Sequence, residues 1–358
     1  LSRRASGVRQ MVEGLSGALA ARGLEIQVFG ISDAAWESGD AQAWRGAEAH
    51  TFRPRGPRSF AFMPGLAPAL RAFAPDIVHL HGLWMYSAAV AAKWASRPDH
   101  ALVISPHGML APAALAYSST KKRFIGAMFQ NRCFARASGY HATAEAEAAD
   151  IRNYLGDVPV GVIPNGVEKT TVPLPNWSSR SRRVVAIGRL HPVKGYDRLL
   201  RAWANVEPEA PGWSLEIAGP DPTGHGAELR KLIAELGLTR AKIGAARFGA
   251  ERDALIASSR LFVLPSLTEN FALTVPEALI CGTPVLASTG SPWEALPQQG
   301  CGWWVAPEPE PLAAALRQAT RMSDKELAAM GEAGKAWASQ TFHWDGLAAR
   351  MIDFYRSL

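Results

Sequence analysis

Strand-like and helix-like segments alternate along the chain, and this alternation restricts the fold more than any other feature of the sequence. Residues 8–22 have apolar positions at helical spacing, and strand-like runs follow at 25–29, 77–80 and 102–105. The second half restarts with a strand-like run at 183–187 and continues in the same way. Strands that alternate with helices build parallel sheets with crossover helices. The sequence therefore predicts an α/β fold of two Rossmann-like, doubly wound domains.

A segment rich in proline, serine and arginine at 170–183 lacks apolar periodicity, as a linker does. We therefore predict a first domain over 1–170, a second over 171–340, and a final helix over 341–358 that packs back towards the first domain. A chain of 358 residues with 48% apolar residues is long enough to bury two cores. Ligands of such sheets bind beyond the carboxyl ends of the strands, so we expect the two domains to face a central cleft.

The first domain shows no strand-like run ahead of its first helix. Doubly wound units usually open with a buried strand that feeds a glycine-rich turn, whereas here Gly7 and the helix come almost at once. We expect the first sheet to lack its usual first strand, or to have that place filled by another chain or by disordered residues. Gly7 is then the remnant of the glycine-rich, ligand-binding loop.

The positive charge of the chain is concentrated in its first half. The formal net charge is +6, with 18 basic against 13 acidic residues in 1–170 and 20 against 19 in the rest. This asymmetry indicates either an anionic partner or a well-solvated surface. No basic stripe with interleaved aromatic residues accompanies it, so nucleic acid is not an expected partner.

The basic run Lys121, Lys122 and Arg123 precedes an apolar run at 124–129. This pattern is typical of a helix that lies on a membrane surface, but also of an amphipathic helix packed on a core. The sequence predicts peripheral contact at the inner face of the membrane as one of the two alternatives.

The cysteines and the apolar runs bear on where the protein works. Cys133, Cys281 and Cys301 stand far apart without metal-ligand spacing, and an odd number cannot form a closed set of disulfides. No apolar run reaches the roughly 18 residues of a membrane span, and the first four residues lack the apolar core of a signal peptide. We expect a soluble protein of the reducing cytoplasm.

Two carboxylates, Glu269 and Glu277, stand eight positions apart across a strand-to-helix turn. Pro276 fits a first helical turn. In the structural alternative, Thr274 is the N-cap residue and forms a capping box with Glu277. In the functional interpretation, free amides near Leu273 and Thr274 bind a diphosphate. Glu277 then accepts hydrogen bonds from a ribose diol, and Glu269 accepts them from the hydroxyls of a sugar.

This stretch, together with the segments 188–195 and 164–167, resembles glycosyltransferase family 4, a family of retaining enzymes with the GT-B architecture. The resemblance extends from the first helix to the last. It implies that Arg189 and Lys194 contact the diphosphate of the donor, that Glu269 orients the transferred sugar, and that Glu277 holds the ribose. Cations placed after a strand stabilise charge on a leaving diphosphate, although either cation alone is also typical of a solvated loop.

The resemblance further implies a donor-binding loop after each of two strands. The predicted donor-binding residues of these two loops are Gly188, Asn270, Phe271, Ala272, Leu273 and Thr274. Many relatives carry Gly-Phe-Gly where this chain has Asn-Phe-Ala at 270–272. We therefore expect an unusual pocket for the donor sugar.

Histidines follow two predicted strands of the first domain, at His81 and His107. Similar family members carry a histidine at the second place, near the primary hydroxyl of the transferred sugar, so His107 is the predicted catalytic histidine. A structural role is the alternative for His107. For His81 the alternative to a catalytic role is a place in the lining of the acceptor pocket, and the role of His141 is open in a similar way.

The predicted reaction is retaining glycosyl transfer from a UDP-, GDP- or ADP-sugar to a saccharide or lipid-linked acceptor. The sequence contains no Asp-x-Asp cluster and no phosphate-binding P-loop, so neither a metal nor a further cofactor is expected. The resemblance points to enzymes of bacterial exopolysaccharide or lipopolysaccharide synthesis. The alternatives are an epimerase or phosphorylase of the same fold and a catalytically silent domain that binds sugar nucleotide.

Overall fold

The computed structural model describes residues 1–2, 6–57, 60–97, 99–117 and 119–358 and divides into two compact units. The first unit comprises Leu1–Gly166 and Trp344–Leu358, and the second comprises Val167–His343. The last helix therefore belongs to the first unit, and the predicted linker lies inside the second. Residues 3 and 4, within the segment that lacks a signal-peptide core, lie outside the described residues.

The described part of the first unit contains six strands in two parallel sheets. Strands β1 (Gln27–Ile31) and β2 (Glu48–Phe52) form one sheet. Strands β3 (Ile77–His81), β4 (Ala101–Ser105), β5 (Gly139–Ala142) and β6 (Val160–Val162) form the other, in that order. Within the described residues no strand precedes β1, and no strand joins β1 to β3.

Seven α-helices precede the second unit in the described residues. They are α1 (Ser6–Ala21), α2 (Leu66–Phe73), α3 (Tyr86–Trp94), α4 (Pro112–Ala116), α5 (Ser119–Ile125), α6 (Asn131–Ala135) and α7 (Glu145–Leu155). A π-helical turn at Gly126–Gln130 joins α5 to α6. Helix α1 buries Met11, Leu15 and Leu19 against the last helix of the chain, because a spacing of four residues places them on one helical face.

The second unit is built on one parallel sheet of six strands. They are β7 (Ser181–Ile187), β8 (Ser214–Ala218), β9 (Ala241–Gly244), β10 (Ser259–Leu264), β11 (Val285–Ser288) and β12 (Gly302–Val305). Their spatial order is β12-β11-β10-β7-β8-β9, so the strand order reverses between β7 and β10. Every residue of β10 is buried, as expected of a central parallel strand covered on both faces. Ligands of doubly wound sheets bind beyond the strand ends at such a reversal.

Helices cover both faces of this sheet. They are α8 (Tyr196–Ala204), α9 (His225–Glu235), α10 (Gly249–Ala257), α11 (Thr274–Ile280), α12 (Pro309–Arg321) and α13 (Asp324–Thr341). The last helix, α14 (Trp344–Arg356), returns to the first unit. Trp203 and Ile217 belong to the core of one face, and Phe262 and Val275 to the core of the other. Each such side chain stabilises the fold by roughly 1.5 to 3 kcal/mol.

Among the described residues, no helix combines the length and the apolar character needed to cross a bilayer. The three cysteines are buried free thiols, and burial raises the pKa of each to about 12.

Candidate active site

Two loops of the second unit meet where the strand order reverses. One follows β7 and contains residues 188–195, beginning at Gly188, and the other follows β10 and contains residues 265–273. The Leu267 amide donates to the Val193 carbonyl at 2.8 Å. Gly195 has φ +65°, and a Cβ atom there would lie 2.2 Å from the Pro265 carbonyl oxygen. Only glycine therefore permits this approach, which brings the two predicted donor-binding loops together.

The approach of the loops joins Lys194 to Glu269. The Lys194 Nζ lies 2.5 Å from Oε1 of Glu269, and the same oxygen accepts a hydrogen bond from Ser266 Oγ at 2.6 Å. The two side chains are only 21% and 12% exposed. An ammonium group has three donors, and the Glu269 Oε2 atom has no hydrogen-bond partner among the described residues. The pair therefore retains donors and an acceptor for a ligand.

Tyr196, the first residue of α8, is buried close enough to Glu269 to interact with its charge. Burial, together with the nearby charge of Glu269, raises the pKa of Tyr196. The phenol is therefore neutral at pH 7.

The Lys194 backbone is set by the short 3₁₀ turn Pro192–Lys194. His191 begins this turn, and its Nδ1 accepts a hydrogen bond from the Val193 amide at 3.2 Å. Burial, and then the charge of Arg189, lowers the pKa of His191, which keeps the ring neutral and able to accept. Arg189 itself is exposed and makes no ion pair with the described residues.

Glu277 is held by a half-buried arginine. Its Oε1 atom lies 2.7 Å from Nη1 of Arg252 in α10, and the Glu277 residue is only 8% exposed. Asp253 accepts two further hydrogen bonds from the same guanidinium group. Burial alone would lower the pKa of Arg252, but the carboxylates of Glu277 and Asp253 outweigh it and raise the pKa. Glu277 is therefore an oriented carboxylate.

The start of α11 differs from the capping alternative. Thr274 is the first helical residue, so the N-cap position falls on Leu273, which forms no side-chain cap. The alternative in which Thr274 is the N-cap residue of α11 is therefore wrong. The helix has seven residues.

The turn at 270–273 is anchored by an aromatic side chain. Phe271 is buried against Trp293 and Phe342, and its carbonyl accepts a hydrogen bond from Trp293 Nε1 at 2.6 Å. Asn270 is half-buried. Ala272 has φ +64°, in the left-handed region, where a side chain costs roughly 1 to 2 kcal/mol. The departure from Gly-Phe-Gly thus places alanine where the backbone favours glycine.

Histidines cluster at the carboxyl ends of β3, β4 and β5 in the first unit. Alternation along β3 places His79 and His81 on one face, with ring centroids 4.3 Å apart. His81 Nδ1 contacts His107 Nε2 at 3.1 Å. His79 joins His141 through Ser105, with N···O distances of 2.7 and 2.8 Å.

The backbone around His107 is constrained. His107 has φ +53°, and Glu147 accepts a hydrogen bond from the Gly108 amide at 2.8 Å. Left-handed residues other than glycine are uncommon and cluster at functional sites. Burial lowers the pKa of His107 to about 4 and also lowers those of His79, His81 and His141. All four rings are therefore neutral at pH 7.

Gly7 lies in the first turn of α1, because the chain is helical from Ser6 onwards. The structure therefore places Gly7 in a helix and not in a loop.

Family models and one relative identify this architecture. A model described as "Glycosyl transferase 4-like domain" matches residues 6–166, and one described as "Glycosyl transferases group 1" matches residues 173–337. A D-inositol 3-phosphate glycosyltransferase of Acidothermus cellulolyticus is 30% identical over 308 residues, which cover 78% of this chain and 67% of that protein. The chain belongs to the group 1 glycosyltransferases. The predicted family is thereby confirmed.

Other similar proteins extend this comparison. An MMP alpha-(1->4)-mannosyltransferase of Mycolicibacterium hassiacum is 30% identical over 218 residues, 59% of this chain, and the chain spans only 52% of its length. A GDP-mannose:cellobiosyl-diphosphopolyprenol alpha-mannosyltransferase of Xanthomonas oryzae is 26% identical over 84% of this chain and 78% of that protein. The crystal structure of HepE from Anabaena with UDP and glucose has a TM-score of 0.78 at 22% identity, covering 100% of this chain and 98% of that one. The predicted α/β GT-B fold is confirmed.

The candidate site contains residues that the sequence did not single out. Arg252 contacts Glu277 from a different helix, Asp253 accepts from its neighbour Arg252, and Ser266 donates to Glu269 three positions further on. No residue spacing signals these partners. In the described part of the chain, no group of three or more His, Cys, Asp or Glu side chains is arranged to hold a metal.

Proposed function

We propose that this glycosyltransferase moves a sugar from a nucleoside diphosphate sugar to a saccharide or lipid-linked acceptor, with retention of anomeric configuration. The observation that carries the proposal is the Lys194–Glu269 pair at the reversal of the strand order, with Arg189 exposed on the same loop. Together, Arg189 and the Lys194–Glu269 pair offer two cations and a carboxylate at the place where doubly wound sheets bind nucleotides.

The residues have distinct roles in this proposal. Arg189 and Lys194 contact the diphosphate, and Lys194 keeps its hydrogen bond to Glu269 while it donates to phosphate oxygens. The free Oε2 atom of Glu269 accepts from a hydroxyl of the transferred sugar. Glu277, oriented by Arg252, accepts from the ribose diol. Gly188 and the residues 270–274 line the donor.

Transfer proceeds without a covalent sugar–enzyme intermediate. The acceptor oxygen bonds to the anomeric carbon on the face that the diphosphate leaves, the bond from that carbon to the phosphate oxygen breaks, and the leaving phosphate takes the acceptor proton. Lys194 and Ser266 both donate to Oε1 of Glu269, which makes this carboxylate a poor nucleophile. His107 contacts the transferred sugar as a neutral ring.

The charge of the leaving group is balanced by the protein in this account. Two cations, Arg189 and Lys194, oppose a diphosphate, and preorganised donors in a partly buried site stabilise developing charge strongly. Neither a metal nor another cofactor has a role.

The acceptor class rests on the named relatives. The name of one relative contains D-inositol 3-phosphate. The name of another contains a sugar linked to diphosphopolyprenol. We place the reaction in exopolysaccharide or lipopolysaccharide synthesis on the cytoplasmic side of the membrane. The exposed side chains of Tyr117, Phe124 and Met128, in the same stretch of sequence as the exposed Arg123, support peripheral membrane contact there. The Lys121 side chain lies outside the described residues.

A panel of UDP-, GDP- and ADP-sugars tests the proposal by thermal stabilisation and by nuclear magnetic resonance of the products. One nucleotide class should raise the melting temperature, and its sugar should appear on an acceptor with unchanged anomeric configuration. An inverted product would contradict retention. Isomerisation of the sugar nucleotide without acceptor would favour an epimerase. Phosphate-dependent release of a sugar phosphate would favour a phosphorylase. Binding without turnover would favour a silent domain.

A further inference from the structure

A network of hydrogen bonds in the first unit connects the last helix to the histidine cluster, and the proposed function gives no role to its outer members. The Tyr355 hydroxyl of α14 lies 2.6 Å from Nδ1 of His79. His79 Nε2 contacts Ser105 Oγ at 2.7 Å, and Ser105 Oγ contacts His141 Nδ1 at 2.8 Å. The network ends where His141 Nε2 lies 2.7 Å from the Ile163 carbonyl oxygen. It therefore crosses the sheet from β3 to the residue after β6.

The hydrogen atoms of this network have one direction. The Ile163 carbonyl can only accept, so the neutral His141 ring carries its proton on Nε2 and accepts at Nδ1. Ser105 has one hydroxyl hydrogen, which it donates to His141, so its oxygen accepts from Nε2 of His79. This leaves Nδ1 of His79 as an acceptor, and the Tyr355 hydroxyl donates to it. A single backbone carbonyl thus determines the tautomers of two histidines.

The proton between Tyr355 and His79 stays on the phenol oxygen. Burial raises the pKa of Tyr355, and burial together with the neighbouring histidines lowers the pKa of His79 well below its ordinary value. Among the described residues, Tyr355 is the sole hydrogen-bond donor to Nδ1 of His79. Loss of this hydroxyl would therefore leave that ring nitrogen without its partner.

The position of Tyr355 depends on close packing of the last helix against the sheet. An added Cβ atom on Gly139 of β5 would lie 2.8 Å from Leu358 Cδ2, and one on Gly161 of β6 would lie 2.8 Å from Phe354 Cδ2. Glycine at both positions therefore allows the carboxyl end of α14 to approach these strands, which brings the phenol to the histidine cluster.

The His79 ring packs towards the predicted catalytic histidine. It stacks on the ring of His81 with centroids 4.3 Å apart, and His81 Nδ1 lies 3.1 Å from His107 Nε2. Closely packed side chains transmit a displacement to their neighbours. A change in the orientation of His79 should therefore displace His81 and, through it, His107.

We propose that Tyr355 is a positioning residue for glycosyl transfer, whose hydroxyl fixes the orientation of His79 and thereby the rings of His81 and His107. The proposal rests on the proposed function, in which His107 contacts the transferred sugar. Tyr355 acts only through the histidines and does not contact the reacting atoms. Partners one step removed from a reactive group set its orientation, and small errors in that orientation slow the reaction.

Magnetic resonance of the ligand-free full chain with ¹⁵N-labelled histidine tests the direction of the network in the wild type. Single replacements of histidine by glutamine assign the signals. At neutral pH, His79 and His141 should both carry the proton on Nε2 and none on Nδ1. A proton on Nδ1 of His79 would overturn the proposal, because Tyr355 could then not donate to that nitrogen.

Tyr355→Phe removes the donor and keeps the aromatic ring. It should shift the ring-nitrogen signals of His79, and also those of His81 and His107. The matched control is Tyr140→Phe, which removes a buried hydroxyl of the same unit that donates to a backbone carbonyl at 3.0 Å. This control should leave the three rings unchanged. Unchanged His81 and His107 signals in Tyr355→Phe, or equal shifts in both variants, would overturn the proposal.

Transfer assays provide the catalytic measurement, with the sugar nucleotide that stabilises the protein and a competent acceptor. Tyr355→Phe should lower kcat by about tenfold or more and leave the KM for the sugar nucleotide within about twofold, because misplaced groups slow the chemical step. Equal kcat values in Tyr355→Phe and Tyr140→Phe would overturn the proposal. Absence of transfer by the wild type would instead contradict the proposed function, and the magnetic resonance result would then decide the positioning role alone.

Discussion

At the scale of single residues, the candidate site contains side-chain pairs that join distant parts of the sequence. Lys194 and Glu269 are 75 positions apart and share a hydrogen bond of 2.5 Å. The motifs predicted each of these residues as a ligand contact. That they also contact each other depends on the approach of two loops, which Gly195 permits.

Replacing Lys194 tests its role in stabilising the leaving group. Lys194→Ala should lower kcat by about two to three orders of magnitude, as loss of one electrostatic donor typically does. The matched control is Lys231→Ala, because Lys231 is exposed on α9 and pairs only with Glu235 among the described residues. Steady-state transfer assays measure both. A similar kcat in the two variants would argue against the assignment.

Replacing Arg252 tests whether it positions Glu277. Glu277→Gln should weaken nucleoside diphosphate binding by roughly 1 to 3 kcal/mol, because a charged acceptor becomes a neutral one. Arg252→Met should weaken binding in the same direction by releasing the carboxylate. Titration calorimetry measures both affinities, with Arg321→Met at the exposed end of α12 as the control. Full affinity in Arg252→Met would show that Glu277 needs no partner.

Ala272 offers a test of backbone strain. Ala272→Gly should raise the free energy of unfolding by about 1 kcal/mol, because φ +64° is costly for alanine and open to glycine. Urea denaturation at equilibrium measures this change. A lower free energy of unfolding in the variant would mean that the loss of chain entropy in glycine exceeds the relief of strain.

At the scale of elements, the sequence was most informative about strand ends. Apolar runs at 77–80 and 102–105 correspond to β3 and β4, and the histidines after them lie in one cluster. The pairing of Arg252 with Glu277 could not be predicted, because it depends on how α10 and α11 pack, and helical periodicity does not encode that arrangement. Nor could the sequence predict that Phe271 packs with Trp293, since an aromatic side chain in a turn is equally typical of ligand stacking.

The histidine cluster makes the first unit sensitive to acid. Burial lowers the pKa of His107 from 6.5 to about 4 and lowers those of His79, His81 and His141. The unfolded chain therefore binds more protons below pH 6.5, so stability is complete above that pH and falls as the pH drops towards 4. Each ring that stays neutral contributes up to about 1.4 kcal/mol per pH unit.

Urea unfolding of the wild type and of His81→Gln between pH 7.5 and about pH 4.5 measures this dependence. The variant lacks one titrating ring and should lose stability less steeply with falling pH. Equal slopes would show that His81 is not part of the acid-sensitive group.

At the scale of the whole molecule, the chain comprises two α/β units whose family models together extend from residue 6 to residue 337. Composition and alternation predicted both units. The central claim concerns the second, where the protein supplies the positive charge for the leaving diphosphate. Two cations lie on the loop after β7, and one of them is fixed by Glu269.

Transfer to a competent acceptor in the presence of EDTA tests this claim most directly. In the proposed mechanism Arg189 and Lys194 together oppose the charge of the diphosphate, so the transfer rate should be the same with and without the chelator. Lys194→Ala, assayed alongside, should be slow in both conditions. If EDTA abolishes transfer by the wild type and added magnesium restores it, a metal stabilises the leaving group and the assignment of these two cations is wrong.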